Sequence, residues 1–586
     1  MTEPARNGGA GFARDGRSPK GGAYSVRFDA SRAVLPLFAV VLFVLVVLPV
    51  GWLVVFAFSD KAGHPTLVNF RLLVTDKSFL DPLLTALALA VAVSVICSAV
   101  AAPMGFLVAR TDMPLRRPVR LLVMASFVTP PFLGAIAWEL LAAPNSGLLN
   151  QLYRAARGAD PDVVLFDIYT FWGLVFAVCC YTFPYVFVLI ANALDRIPAD
   201  MEDASSMLGG SAAWTARRVT IPLALPALLA GALIAFLQTM TLFGSPAILA
   251  LPAGFHTITT KIWSLFQYPP KPELAAAASL PLLLLTVLLL RAQAKILGRR
   301  GYTVVGGKSG EVRPVALGGW RWPAFGFCFV VLCLSVLLPY AALFNAAFSR
   351  IPSQPLTFAN FTFSHFRFVF QELSSTKLAI KNTFYLGMSA ATCGTIFALV
   401  IASLTARAAT AGTRALSFLA TAPIAIPGIT LGVGLFLAYT RGPVVLYGTL
   451  WILLLAYVTI ELPAAYQQLQ AAFRGISGEL EEASRILGAS RLGTLRRVTA
   501  PLLGPSLVAT WCFIFVAVMR ELSAAVILFT SETKVLSVLI FDLNESGDLA
   551  AISVLGLTML VLTAVILVAA NRIPGFTGGV KLGRRL

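Results

Sequence analysis

Long apolar runs alternate along the chain with short polar segments. Twelve of the runs are long enough to cross the roughly 30 Å hydrocarbon core of a bilayer as helices, because a helix rises about 1.5 Å per residue. Their cores lie near 33–58, 83–108, 121–142, 171–193, 223–243, 274–290, 322–348, 382–405, 415–439, 444–469, 502–529 and 549–570. In lipid every backbone N–H and C=O needs a partner within the protein, and for runs of this length the helix supplies it. The pattern predicts an all-α integral membrane protein with about twelve transmembrane helices.

The polar segments carry a second pattern. Ile197–Ala230 and Ile476–Ala509 are identical at 17 of 34 positions without a gap. The repetition extends outward. Leu48-Pro49 and Phe58-Ser59 are echoed by Leu338-Pro339 and Phe348-Ser349, Ala109-Arg110 by Ala406-Arg407, and Pro130 by Pro427. The offset is 290, then 297, then 279, so the first half holds 18 extra residues between its third span and its polar motif, which we place in the outer segment Ala143–Thr170. Two six-span repeats follow, at 33–290 and 322–570, with their duplicated loops at 195–222 and 473–501. A basic, Gly-rich linker at 291–321 joins them. Both repeats start on the same side, which makes them parallel repeats about an axis along the membrane normal.

Composition sharpens the picture. With 58% hydrophobic and 12% charged residues and a mean hydropathy of +0.83, the chain is too apolar to be a soluble protein of 586 residues. A net charge of +18 raises the question of nucleic acid, but 31 of the 45 Lys and Arg fall in the segments predicted to lie inside. The outer loops hold 13, and one, Arg520, lies within a predicted span. This asymmetry predicts both termini in the cytoplasm and an attraction to anionic lipid headgroups, with no nucleic-acid partner. Residues 1–32 and 571–586 read as cytoplasmic tails, the first of them disordered. The run after residue 32 is too long for a signal-peptide core and lacks a small-x-small cleavage site, so it is expected to stay as the first span. All seven cysteines (Cys97, Cys179, Cys180, Cys328, Cys333, Cys393, Cys512) fall within predicted spans, with no Cys-x-x-Cys spacing, and read as small core residues.

Each duplicated loop predicts a helix-turn-helix. A short helix runs to Gly209 or Gly488, and a second starts after a Ser N-cap at Ser211 or Ser490. Pro222 or Pro501 is expected to end the second helix near the membrane. In the second copy Leu480, Ala483 and Leu487 form one apolar stripe, while Glu481 and Arg485 are spaced as an i,i+4 pair on another face. One such hairpin could simply lie on the bilayer surface. Two at equivalent places in two halves favour docking into a groove on a partner.

The series Asp203-Ala204-Ser205-x3-Gly209-x9-Val219-x2-Pro222 and Glu482-Ala483-Ser484-x3-Gly488-x9-Val498-x2-Pro501 resembles the EAA signature of permease subunits of binding-protein-dependent ABC importers. The full length, with two permease halves in one chain, is most similar to the ferric-iron type. Ser146-Gly147-Leu148-Leu149-Asn150, Phe243-Gly244-Ser245-Pro246-Ala247 and Arg520-Glu521-Leu522-Ser523 support it. The resemblance implies a non-enzymatic permease of a bacterial inner membrane. It implies two ATPase subunits, alike or different, under the two loops, holding ATP and Mg that this chain does not bind itself, and a periplasmic solute-binding protein on the other side. Closure of the ATPases would then move the loop helices as levers and switch a pathway between the halves. The first copy departs from the signature with Asp203 in place of Glu and with Trp214 in its second helix, and is expected to dock more weakly.

Other candidate chemistry is sparse. Gly306-Gly307-Lys308-Ser309 looks like the end of a phosphate-binding loop, but Tyr302 stands where G-x4-G-K-[ST] needs glycine. The ionisable residues within predicted spans are Glu139, Glu461, Arg520 and Glu521, each a candidate for lining the pathway or for structural pairing. His64, His256 and His365 sit in predicted outer loops without metal-ligand spacing. Gly428-x3-Gly432 and Gly434 read as a close helix approach or a gate hinge. An ion-coupled secondary transporter also has twelve spans in two parallel halves, but the in-span carboxylates are not placed equivalently in the two halves and the duplicated hairpins would be unexplained. A membrane-embedded enzyme would need a constellation of acid, base and nucleophile that the spans lack. The expected solute is ferric iron, free or chelated, although importers of thiamine, phosphonate, polyamine and sulfate share the same signature.

Overall fold

A computed structural model describes residues 31–571 apart from 159, 161, 299–313, 407–409 and 441–443. Most of both predicted tails, the stretch Gly306–Ser309 and Arg407 lie outside the described residues. Among the described residues every named element is helical, and extended pairing is limited to three isolated bridges. Among the described residues nine helices are each long and apolar enough to cross a membrane: Val34–Ala57, Lys77–Arg110, Phe171–Asp195, Ala216–Thr241, Pro272–Lys295, Gly318–Phe348, Ser374–Thr405, Leu450–Arg474 and Leu549–Ala569. Three further runs reach that length only as bent pairs: Arg116–Val128 with Pro131–Ala142 at 100°, Ala411–Ala425 with Gly428–Thr440 at 111°, and Leu492–Leu502 with Gly504–Met519 at 79°. Counting each pair once gives twelve spans.

The bent pairs differ from the straight spans expected at 121–142, 415–439 and 502–529, and proline explains the first two. Thr129 precedes Pro130 with ψ 128°, and Ile426 precedes Pro427 with ψ 112°. A residue before proline is pushed out of the helical region, so both helices stop there and restart at a new angle. In the last run the chain leaves the helix at Met519 and re-forms only a short helix at Ala525–Leu528. Its bend falls at Leu503, ahead of Gly504-Pro505. The first-half counterpart, Leu225-Pro226, lies within the unbroken helix Ile221–Thr241. Glycine in place of leucine weakens helix there by roughly 1 kcal/mol, enough to let the proline break it.

Pro222 does not end its helix, whereas the helix at Pro501 stops one residue later, at Leu502. A five-residue π-helical turn, Ala216–Thr220 or Leu495–Thr499, leads directly into Ile221–Thr241 or Ala500–Leu502. The same device recurs at Phe43–Val47 before Pro49 and at Cys333–Leu337 before Pro339. In all four places the π turn ends two residues before the proline, and the four form two repeat-related pairs. The wider turn absorbs the missing N–H and the bulk of the ring, so the helix runs on past Pro49, Pro222 and Pro339, and past Pro501 by one residue.

Each half lends its first span to the other. Pro49 packs on the second half's bent pair so tightly that a Cβ on Gly434 would lie 2.8 Å from the Pro49 carbonyl oxygen. In the reciprocal place Tyr340 and Thr129 share a 2.6 Å hydroxyl contact. The predicted inner segments meet on one side of this body. Arg110 Nη2 donates to the Ile197 carbonyl at 2.7 Å, Arg120 pairs with Asp195 at 3.1 Å, and Asp112 accepts from Leu317 N–H at 2.9 Å and from Arg321.

The extra outer segment of the first half is ordered around Asn150. It sits in the helix Leu148–Arg157, is fully buried, donates to the carbonyls of Ala143 and Phe166 and accepts from the amides of Leu165 and Phe166.

Candidate functional site

The duplicated loops fold into two matching helix-turn-helix modules. Their first helices are Ala199–Met207 and Gly478–Ile486, each with two acidic residues in its first turn, which complement the positive end of the helix dipole. Ser477 caps the second of these through Glu479 N–H at 3.3 Å. Both helices end in the same bonds: Gly209 N–H to Ser206 O and Gly210 N–H to Ser205 O, and Gly488 N–H to Arg485 O and Ala489 N–H to Ser484 O. This is a Schellman stop, and it requires a left-handed residue, met by Gly209 at φ +83° and Gly488 at φ +86°. No atom lies within 4 Å of where a Cβ would sit on either glycine, so backbone conformation, and no packing within the chain, calls for glycine.

Three hydroxyl contacts hold each module in shape. Ser205 and Thr215 meet at 2.7 Å across the turn, and Ser484 and Thr494 at 3.1 Å. Ser211 and Ser490 accept from Trp214 and Gly493 N–H at the start of the second helices. Thr220 then donates to Glu202 at 2.7 Å, and Thr499 to Glu481 at 3.0 Å, tying each first helix to the π turn that begins a span. In the first half Arg110, fully buried at the end of Lys77–Arg110, adds a 3.5 Å contact to Glu202. Sequence reasoning singled out neither Glu202, the two Thr pairs nor this role for Arg110. The signal was their identity between the two copies, in particular the shared run Thr-x-Arg-Arg-Val-Thr.

The outer surface of each module is apolar and uncovered. Met207 and Leu208 are 87% and 90% exposed, Ile486 and Leu487 85% and 88%, and Trp214 and Leu492 are exposed as well. Ala204, Ala483, Glu482, Pro222 and Pro501 are also exposed, while Asp203 and Ser484 are half-buried and Ser205 is buried. Among the described residues little of the chain covers the Met207-Leu208 and Ile486-Leu487 side chains, which lie ahead of the spans and form a bare apolar surface.

The in-span ionisable residues take separate places. Glu139 accepts from the Tyr169 hydroxyl at 2.8 Å. Glu521 caps a short helix through the amides of Ala524 and Ala525 at 3.1–3.3 Å. Its neighbour Arg520 turns away into the first half, donating to Phe127 O and the Tyr185 hydroxyl. Glu461 is half-buried on Leu450–Arg474. Among the described residues no three His, Cys, Asp or Glu gather as a metal-holding group. His64 pairs with Asp60 at 3.5 Å, and His365 Nε2 meets Ser349 O at 2.9 Å.

Comparison with known proteins places this architecture. Residues 101–300 and 394–574, one stretch in each half, match the family described as binding-protein-dependent transport system inner membrane component. The ferric transport system permease protein FbpB of Actinobacillus pleuropneumoniae is 28% identical over 77% of this chain and 65% of its own length. The putative ferric transport system permease protein FbpB 1 of Haemophilus influenzae is 28% identical over 70% of this chain and 64% of its own length. The chain thus spans about 65% of the length of these curated relatives. A solved bacterial alginate ABC transporter, in complex with an alginate pentasaccharide-bound periplasmic protein, aligns over 44% of this chain and 96% of its own at 19% identity and a TM-score of 0.37. With the family match covering well over half its residues and falling once in each repeat, the chain belongs to the binding-protein-dependent transport system inner membrane components.

Proposed function

We propose that the chain is the non-enzymatic, membrane-spanning permease of an ATP-driven importer in a bacterial inner membrane. Each helix-turn-helix docks one ATPase subunit, ATP and Mg are held by those subunits, and a soluble solute-binding protein meets the opposite face. The observation that carries the reading is the pair of exposed apolar knobs, Met207-Leu208 and Ile486-Leu487, each presented at the stop of a short helix that is hydrogen-bonded to the base of a span. A secondary transporter has no use for two such knobs on the side where the inner segments gather. Docked ATPases that approach one another would draw the modules together and, through Glu202–Thr220 and Glu481–Thr499, move the spans behind them. Two packed arrangements of the halves, close in energy, are enough for alternating access.

The solute we propose is ferric iron, supported by the names of the two relatives above. Uptake of iron-55 should fall in cells from which this chain is deleted and return when it is restored. Unchanged iron uptake together with lost uptake of thiamine or a phosphonate would contradict iron and leave the import mechanism standing.

A further inference from the structure

Arg520 follows the helix Gly504–Met519 and crosses the seam between the halves. Its Nη1 donates to the Phe127 carbonyl at 2.9 Å and its Nη2 to the Tyr185 hydroxyl at 3.2 Å. Phe127 lies just before the break at Thr129-Pro130, and Tyr185 lies in the central part of Phe171–Asp195. The guanidinium is therefore at mid-depth. The Phe127 and Tyr185 rings pack at 4.8 Å, and the guanidinium carbon stands 5.9 Å from the centre of the Phe127 ring.

A guanidinium has five N–H donors, and the two bonds made here go to neutral oxygens. Among the described residues no carboxylate comes within ion-pair distance of Arg520. Glu521 is committed to capping, and Glu461 lies within electrostatic reach of Arg520 without a hydrogen bond to it. Arg520, Glu461, Tyr185 and Phe127 are all half-buried, although they stand on a seam between two packed halves. The repeat-equivalent of Arg520 is Thr241, so this charge breaks the twofold plan of the chain.

We propose that Arg520 reads the solute in the passage between the halves and selects one that carries a carboxylate, phosphate or phosphonate oxyanion. The proposal rests on the import function above. With no carboxylate hydrogen-bonded to it, Arg520 keeps N–H donors at mid-depth for a passing oxyanion and opposes a bare trivalent cation at its own position, while the Glu461 and Glu521 carboxylates nearby offset part of its charge. The planar fork of arginine matches the paired oxygens of a carboxylate or phosphate. Iron, where it is the cargo, crosses with its charge covered by oxyanion ligands, and Glu461 on the same seam accepts from a hydroxyl or a metal-bound water. An arginine that merely clamps the halves together would not care about the charge of what passes.

The test reads that charge preference. Tyr185→Cys is made in a full chain whose seven native cysteines are replaced by alanine, purified with its ATPase. Labelling rates are measured with an anionic sulfonatoethyl and a cationic trimethylammonioethyl methanethiosulfonate, each normalised to its rate with free 2-mercaptoethanol. The anionic reagent should react about tenfold faster or more, the ratio should fall towards one with Arg520→Gln, and Arg520→Lys should restore it. A ratio indifferent to Arg520→Gln, or no labelling of the introduced thiol, overturns the proposal. In the otherwise native chain, Arg520→Gln should lower uptake of iron-55 citrate about tenfold or more while Arg520→Lys keeps most of it; equal uptake by wild type and Arg520→Gln also overturns it. ATPase co-purification from the same preparations tests the permease reading separately. Its absence in wild type strikes that reading, whereas its presence with an unchanged ratio strikes only the role of Arg520.

Discussion

The Thr499 hydroxyl donates to Glu481 at 3.0 Å and so joins the base of a membrane span to a helix that lies outside the membrane. Thr220 and Glu202 repeat the contact at 2.7 Å in the other half. A hydrogen bond to a charged group contributes roughly 1.5–3 kcal/mol, more than a neutral one, and valine keeps the shape of threonine without the donor. The double variant Thr220→Val, Thr499→Val should therefore fold and still co-purify with ATPase. Its solute-stimulated ATP hydrolysis, compared with the basal rate, should drop about fivefold or more, in line with a loss of one or two kcal/mol at each link.

Gly209 and Gly488 separate backbone strain from docking. Alanine at either position costs about 1–2 kcal/mol for the left-handed conformation and meets no neighbouring atom. Gly488→Ala should weaken ATPase capture modestly. Gly488→Glu, which sets a charge beside Ile486-Leu487, should abolish capture at that module in a pull-down while leaving the yield of membrane-inserted chain unchanged. Gly209→Glu should cost less total activity, because the first copy already departs from the signature at Asp203 and Trp214.

Much of this was legible in the sequence because it rests on local rules. Span length and the 17 identities between the copies point to twelve spans in two halves and to the two modules. The ends of the two short helices followed from single glycines, Gly209 and Gly488. What stayed hidden depends on geometry between distant residues. Proline at 130 and at 427 marks a break but not a bend of 100° or 111°, and proline at 222 reads as a stop although the helix runs on past it, because the π turn ahead of it leaves no residue signature. Asn150 reads as an outer-loop polar residue, yet it is fully buried with four hydrogen bonds, since nothing local shows that 165–166 fold back over it. Arg520 and Glu521, adjacent in the chain, serve opposite sides of the seam.

The linker re-enters the body at Asp112. The Leu317 amide and then the Arg321 guanidinium hold the Asp112 carboxyl below the ordinary carboxylate value of 3.8. A carboxyl depressed in the folded state contributes stability that is present above its unfolded pKa and is lost as pH falls through the folded one. Segment 314–321 should therefore stay docked at neutral pH and loosen only below about pH 4. Hydrogen exchange at the Leu317 and Val315 amides should be slow at pH 7 and faster in Asp112→Asn at the same pH.

Sidedness can be read with single cysteines. Met207→Cys and Leu487→Cys should be shielded from an impermeant maleimide added outside intact cells and react after permeabilisation. Ser353→Cys and Ser546→Cys should react without it. Asn150→Cys should stay silent in both conditions, because the side chain is buried whichever side it faces.

The central claim is that one chain offers two ATPase docking sites, and native mass spectrometry of the detergent-purified complex measures it most directly. The account predicts two ATPase subunits per chain in the wild type, one when either Gly209→Glu or Gly488→Glu is introduced, and none with both. Two subunits retained by the double variant, or a wild-type complex that never holds more than one, would contradict it.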